Sequence, residues 1–159
     1  MDNRIRICLA GDSHGRKDLI QKIIEDNPGC DYYLHTGDSM SDEGDIFPFE
    51  SVKGNCDGMF DYPDERIYEL CGHRILMFHG TNLATFDFAL HDHAAKRKAD
   101  ILFYGHTHCF RNEVYNGIRF INPGSCQESK NIFGPSYALV DLSDDGEVDV
   151  KMVLMNENK

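Results

Sequence analysis

No stretch of this chain approaches the ~18 consecutive apolar residues that cross a bilayer. No positively charged, long apolar leader precedes the strand-like run that begins at Ile5. A membrane partner is therefore not expected, and the expected location is cytoplasmic. Closely spaced cysteine pairs are missing as well: the six cysteines, at 8, 30, 56, 71, 109 and 126, form no C-x-x-C pattern. Cys8 lies inside an apolar run, which reads as a set of reduced thiols and argues against a structural zinc knot. Positive charge is scarce. Against 27 Asp and Glu stand 16 Lys and Arg, for a net charge of -11, and such a field repels long polyanions, whose nonspecific affinity rests on Lys and Arg. Duplex nucleic acid is a poor partner on that ground. Repeats, low-complexity tracts and linker-like stretches are absent too, so the 159 residues, 41% of them hydrophobic, read as one domain spanning 1–159. The composition is compatible with a homo-oligomer as well as with a monomer.

What is present is an alternation of short apolar runs with helix-length amphipathic segments. Ile5 to Ala10 reads as a buried strand, and Lys17 to Asn27 places Leu19, Ile20, Ile23 and Ile24 at helical spacing before Asn27-Pro28-Gly29 stops it. Tyr32 to His35 is a short strand, Ser39 to Pro48 is acidic and turn-rich, and Phe49 to Lys53 leads into a turn at Gly54-Asn55-Cys56-Asp57. Arg66 to Leu70 and Arg74 to Phe78 form a hairpin around Cys71-Gly72-His73. Phe86 to Lys98 is a helix with Phe86, Leu90 and Ala94 on one face, its end carrying Lys96, Arg97 and Lys98, which suit the C-terminal dipole. Ile101 to Tyr104 is the next strand, Val114 to Ile121 turns at Asn116-Gly117, and Tyr137 to Val140 pairs with Val148 to Leu154.

Five of the apolar runs end in metal-capable residues: Asp12-Ser13-His14, Gly37-Asp38, Gly54-Asn55, His79-Gly80 and Gly105-His106-Thr107-His108. Each has a bland reading when taken alone, such as a helix cap for Asp12 or a turn former for Asp38. Together they supply carboxylates, imidazoles and one amide oxygen, all following strands, and in an open α/β sheet the loops after strands converge on the ligand. The doublet His106-Thr107-His108 suits two neighbouring ions better than a core. The expectation is one polar site holding two metal ions.

The order D-x-H, G-D, G-N, H-G and G-H-x-H, running from residue 12 to 108 and continued by Asn122-Pro123-Gly124-Ser125, resembles the calcineurin-like metallophosphoesterase superfamily. The small size and the form Gly54-Asn55-Cys56-Asp57 are most similar to its compact bacterial and archaeal phosphodiesterase branch. The resemblance implies an α/β fold: two facing mixed β-sheets in a sandwich flanked by α-helices, four layers in all. It implies a first metal held by Asp12, His14 and His108, a second by Asn55, His79 and His106, and Asp38 bridging both. Asp38, Asn55 and His79 would be catalytic as well. Cys56, a candidate substrate contact, stands where larger members carry a histidine that protonates the leaving group. The segment Cys126-Gln127-Glu128-Ser129-Lys130 departs from the Pro-Arg commonly found after the Asn-Pro-Gly-Ser turn.

The implied activity is phosphodiester hydrolysis by a hydroxide bridging two ions. Two ions about 3.5 to 4 Å apart acidify a bridging water, aim the hydroxide at phosphorus and neutralise the phosphoryl oxygens. Two divalent ions, Asp12, Asp38 and a hydroxide sum to about +1, which suits the single negative charge of a small phosphodiester better than a monoester dianion. Asp42, Glu43, Asp45 and Asp57 nearby push the same way. Manganese is the leading ion, and the mixed N and O ligands also accept iron, zinc, cobalt or nickel. Arg16 reads equally as a substrate-phosphate clamp or as a solvent-facing arginine at a helix start. His35 reads as packed at a strand end or supporting a ligand. His91 and His93 point to different helix faces, and His73 is expected to be solvated. A cysteine-dependent phosphatase is excluded, since no cysteine has an arginine six positions later. The alternative from another class is a noncatalytic scaffold or interaction module on the same fold.

Overall fold

The computed structural model describes residues 4–128, 130 and 133–155. Ser129, within the segment after the Asn-Pro-Gly-Ser turn, lies outside the described residues. The chain opens with a β-α-β unit: β1 (Arg4–Ala10), α1 (Lys17–Asp26) and β2 (Tyr32–His35), the two strands pairing in parallel. A one-turn helix α2 (Glu43–Ile46) and the two-residue strand β3 (Glu50–Ser51) follow, and β3 extends the sheet parallel to β2. Then come the hairpin β4 (Glu65–Leu70) and β5 (His73–Phe78), helix α3 (Asp87–Lys96) and β6 (Ile101–Phe103). Two hairpins finish the fold, β7 (Phe110–Tyr115) with β8 (Ile118–Pro123), and β9 (Ser136–Ser143) with β10 (Val148–Leu154).

The strands form two five-stranded mixed sheets, ordered β10-β9-β1-β2-β3 and β4-β5-β6-β8-β7. Side-chain alternation with period two sorts each buried strand between two compartments. From β1, Ile7 and Leu9 join Ile75 and Met77 of β5 and Phe103 of β6 between the sheets, while Cys8 and Ala10 face the opposite way into a cluster with Ile20 and Ile23 of α1. From β5, Leu76 and Phe78 turn outward to meet Leu90 and Ala94 of α3. The result is helix, sheet, sheet, helix, as the resemblance implied. Strands buried on both faces need continuous apolar runs, which is why β1, β5 and β6 stood out in the sequence.

Some local expectations are corrected. The acidic stretch from Ser39 contains α2, whose Ile46 is fully buried while its acidic first turn complements the helix dipole. Strand β7 begins at Phe110 rather than Val114, because Arg111, Asn112 and Glu113 sit on an edge strand where no apolar alternation is required. Phe86 does not share the buried face of α3; it precedes the helix and is 51% exposed. His73 is not solvated: its Nδ1 lies 2.6 Å from Asp100 Oδ2 and its Nε2 donates to the Gly146 carbonyl at 3.0 Å, tying one sheet to the β9–β10 turn of the other. His91 donates to the Asn116 carbonyl and His93 meets Glu65, so the two helix histidines do diverge.

Strand β1 lies at the centre of its sheet, and Leu9 is fully buried at the sandwich interface. Leu9→Ala is expected to lower the unfolding free energy by about 2–5 kcal/mol. The check is a lower urea midpoint with an unchanged denaturant slope.

Candidate metal centre

The candidate ligands all leave strand ends on one rim of the sandwich: Asp12 and His14 after β1, Asp38 after β2, Asn55 after β3, His79 after β5, and His106 and His108 after β6. Parallel pairing of β1 with β2 and of β5 with β6 is what sends these loops the same way. The backbone there is strained. Asp12 (φ 51°), His14 (47°), Asp38 (61°), His106 (72°) and His108 (63°) all occupy the left-handed region, which costs a side-chain-bearing residue roughly 1–2 kcal/mol. Such strain concentrated in one place marks a functional site. Cross-loop bonds hold it: Asp12 N–H donates to the Gly37 carbonyl at 3.0 Å, His14 N–H to Asp38 at 2.9 Å and Gly15 N–H to Ser39 at 2.7 Å.

Two buried carboxylates form the centre. Asp12 Oδ1 is buried without a hydrogen-bond partner among the described residues, yet three imidazole nitrogens surround it: His108 Nε2 at 3.5 Å, His79 Nε2 at 3.8 Å and His14 Nε2 at 4.0 Å. Asp38 Oδ2 lies 3.2 Å from His79 Nε2 and 3.7 Å from His14 Nε2. His106 Nδ1 stands 3.2 Å from Asn55 Oδ1 and 3.3 Å from His79 Nε2. Most of these separations are too long for good hydrogen bonds and suit donors converging on a common cation. Asp12, His14 and His108 make one metal-binding group, and Asp12, Asp38 and His79 another. Asp12 belongs to both groups, and His106 and Asn55 stand beside His79 at the edge of the one that holds Asp38. The fit of the donor set to metal is chemical: a buried carboxylate oxygen with no proton donor near enough calls for a positive partner.

Electrostatics agree. Burial pushes the Asp38 carboxyl up, but His79 and the Cys56 N–H, which donates to Oδ1 at 2.7 Å, outweigh it and hold the group at about 2. Burial pushes His79 down, and Asp38 and Asp12 reverse that, leaving it raised. Contact with Asp12 raises His108, whereas burial lowers His106. The orientation of His79 is set by its Nδ1–H, which donates to the Thr36 carbonyl at 2.9 Å and leaves Nε2 free for the site.

Several supporting residues escaped the sequence reading. Asp57, counted there only as nearby negative charge, is fully buried and accepts three backbone N–H groups, from Asp38 (2.8 Å), Met40 (2.9 Å) and Gly54 (2.8 Å). It joins the two loops that carry Asp38 and Asn55, and its place in the Gly54-Asn55-Cys56-Asp57 turn was the available signal. Gln127 Oε1 lies 3.3 Å from His14 Nδ1. Asn122 donates to the Gly105 carbonyl and to Thr107 Oγ1, and Ser125 Oγ donates to the Asp12 carbonyl at 2.8 Å, so the Asn-Pro-Gly-Ser turn clamps two ligand loops. A Cβ on Gly54 would stand 2.1 Å from Asp38 Oδ1, so only glycine fits there.

Two proposed substrate contacts look different in three dimensions. Arg16 is exposed and spends both Nε and an Nη on Asp18, at 2.9 and 2.8 Å, which favours its solvent-facing reading. Cys56 contributes through its backbone N–H to Asp38, while its exposed thiol accepts from Asn55 Nδ2 at 3.6 Å. Burial and then Asp38 raise that thiol, which keeps it protonated at neutral pH.

Comparison with known proteins places these residues in a family context. The profile of the calcineurin-like phosphoesterase superfamily domain matches residues 5–145. A probable metallophosphoesterase of Bacillus subtilis, YsnB, is 30% identical over 146 residues, covering 89% of this chain and 86% of that one. A crystal structure of a predicted phosphoesterase from Streptococcus pneumoniae superposes with a TM-score of 0.79 at 28% identity, covering 95% of this chain and 98% of that one. An archaeal phosphodiesterase, at 19% identity and a TM-score of 0.67 over 94% of this chain and 100% of that one, shares the fold.

His35 tests the support beneath the centre. It is fully buried, Gly37 N–H donates to its Nδ1 at 3.0 Å, and its Nε2–H donates to Ser13 Oγ at 3.0 Å. Burial lowers it to about 4, so the folded state holds it neutral. As pH falls from about 6.5 to about 4, the unfolded chain takes up this proton and the folded one does not, so stability declines across that window. In metal-free protein, urea unfolding is expected to show a shallower decline over that window in His35→Asn than in the wild type. Equal slopes would show that His35 is not held neutral.

Proposed function

The chain belongs to the calcineurin-like phosphoesterase superfamily, and from that premise we propose that it is a metal-dependent phosphodiesterase acting on a small-molecule phosphodiester. The observation that carries this reading is the buried Asp12 Oδ1, without a hydrogen-bond partner among the described residues and ringed by three imidazole nitrogens beside a second buried carboxylate. Asp12, His14 and His108 would hold one divalent ion, Asn55, His79 and His106 a second, and Asp38 both. When bound, the ions supply Lewis acidity toward phosphoryl oxygens and a water acidified enough to attack at neutral pH.

The protein's part is to hold charge and direction. Thr36 and Gln127 aim the imidazoles of His79 and His14 into the site from behind, and Asp57 keeps the Asp38 and Asn55 loops together. The charge of about +1 reckoned for the loaded site matches a phosphodiester monoanion, and Asp57 adds a buried negative charge next to it. Arg16 is occupied by Asp18 and offers little help to a dianion. With a protonated thiol rather than an imidazole at position 56, esters with good leaving groups are the favoured substrates. Mixed nitrogen and oxygen donors make manganese our choice of ion. All six cysteines are free, in keeping with a cytoplasmic setting. A purely structural role on this fold would leave the convergent ligands and their strained backbone without a purpose.

Stripping metal with a chelator is expected to abolish hydrolysis of bis(4-nitrophenyl) phosphate, and manganese to restore it. Asp38→Asn should lose about 10²-fold or more while keeping the far-ultraviolet circular dichroism of the wild type, since it removes charge at the centre and not packing. Specificity constants should favour this diester over 4-nitrophenyl phosphate. Full turnover by stripped protein would defeat the metal reading, and a clear monoester advantage at neutral pH would defeat the charge argument.

A further inference from the structure

A cavity of about 300 Å³ opens beside the second ligand group, sharing Asn55 and His79 with it and running out to Lys53, Asp64, Glu65 and Thr81. We propose that this cavity is a subsite for an uncharged, hydroxyl-bearing alcohol of the substrate, a glycerol- or pentose-like group that stays esterified to the phosphate at Asn55 and His79 while the bond to the other, better leaving group breaks. The inference rests on the phosphodiesterase reading and adds to it the class of alcohol.

The lining argues by exclusion and by match. A second phosphate would meet the carboxylates of Asp64 and Glu65 with only the Lys53 ammonium in its favour. Glu65 stays ionised: burial pushes it up, but Arg97 Nε at 2.6 Å and His93 Nε2 at 2.5 Å outweigh that and lower it. Among the described residues that line the cavity, a flat base has no exposed ring to stack on, His79 being 2% exposed. Phe78 borders the cavity but is only 6% exposed, and the His93 ring is stacked on it at 4.3 Å. What the walls do offer is a set of polar groups suited to hydroxyls. The side chains of Lys53, Asp64 and Thr81 have no hydrogen-bond or ion-pair partner among the described residues. Lys53 donates, Asp64 accepts and Thr81 does both, and each Glu65 oxygen keeps a lone pair beyond the one given to Arg97 or His93. A polyol carries donors and acceptors on adjacent carbons and uses all of them without introducing charge.

The test uses symmetric diesters, so that the alcohol reaches the cavity whichever side of phosphorus faces it. Affinities of diglyceryl phosphate and dimethyl phosphate are measured by titration calorimetry on manganese-loaded protein, and hydrolysis of bis(4-nitrophenyl) phosphate is followed separately. Diglyceryl phosphate is expected to bind about tenfold more tightly than dimethyl phosphate, and Asp64→Leu and Thr81→Val are each expected to reduce that advantage about threefold or more. Equal affinities in a protein that hydrolyses the nitrophenyl diester overturn the subsite alone, as does an advantage that both substitutions leave intact. A protein that hydrolyses no diester in the presence of manganese overturns the phosphodiesterase reading and the subsite with it.

Discussion

Two carboxylates held out of water at the rim of a β-sandwich are the constraint around which this protein is organised. Asp12 is fully buried and Asp38 is 3% exposed, and their neighbours satisfy them unequally. Asp38 Oδ1 takes a backbone N–H from Cys56, and Asp12 Oδ2 takes a longer one from His106. Among the described residues nothing reaches Asp12 Oδ1 at hydrogen-bond distance, although burying such an oxygen is costly without a partner. Imidazoles stand around both groups, and they are the side chains that can share a proton with a carboxylate or a metal with it. Protons and metal therefore compete for one set of atoms, so metal loading is linked to pH in the sense that acid opposes it.

Holding that arrangement takes more residues than contribute ligand atoms. Five of the candidate ligand residues adopt left-handed backbone, and backbone bonds, buried acceptors and glycines pin the loops that carry them. Asp57 supplies acceptors for two loops at once, His35 links Ser13 to Gly37, and Ser125 fastens the Asp12 carbonyl. Gly54 and Gly105 stand so close to Asp38 and to Asp12 that a methyl group at either would meet the carboxylate. Rigidity of this kind keeps a charged site assembled before anything binds, so binding need not supply the ordering energy.

The acidic balance of the chain and the make-up of the centre point to the same range of substrates. A net charge of -11 opposes approach by polyanions, while on the proposed reading a metal-loaded centre of modest positive charge would still attract one phosphate carrying one charge. The cavity beside Asn55 and His79 continues that logic outward, since its walls discourage a second anion and offer hydrogen bonds to neutral hydroxyls. Selection would thus rest on charge near phosphorus and on polar complementarity one group away.

By itself the sequence determined the doubly buried strands, the helices facing them and the identity of the candidate ligand residues. An apolar run must alternate its side chains between two layers, and the chemistry of Asp, His and Asn at the ends of such runs is legible without coordinates. It also carried the resemblance that implied four layers, which the two five-stranded sheets bear out. Edge strand β7 and the single turn α2 were misjudged because solvent-facing residues on an edge need no pattern and one turn is too short to show a period. Only the tertiary structure decided that Asp12 reaches both ligand groups, that Asp57 and Gln127 serve the site, that Arg16 turns to Asp18, and that His73 ties the two sheets together. These depend on distances between loops far apart in the chain, and such distances are set by how the two sheets pack, which no local run of residues records.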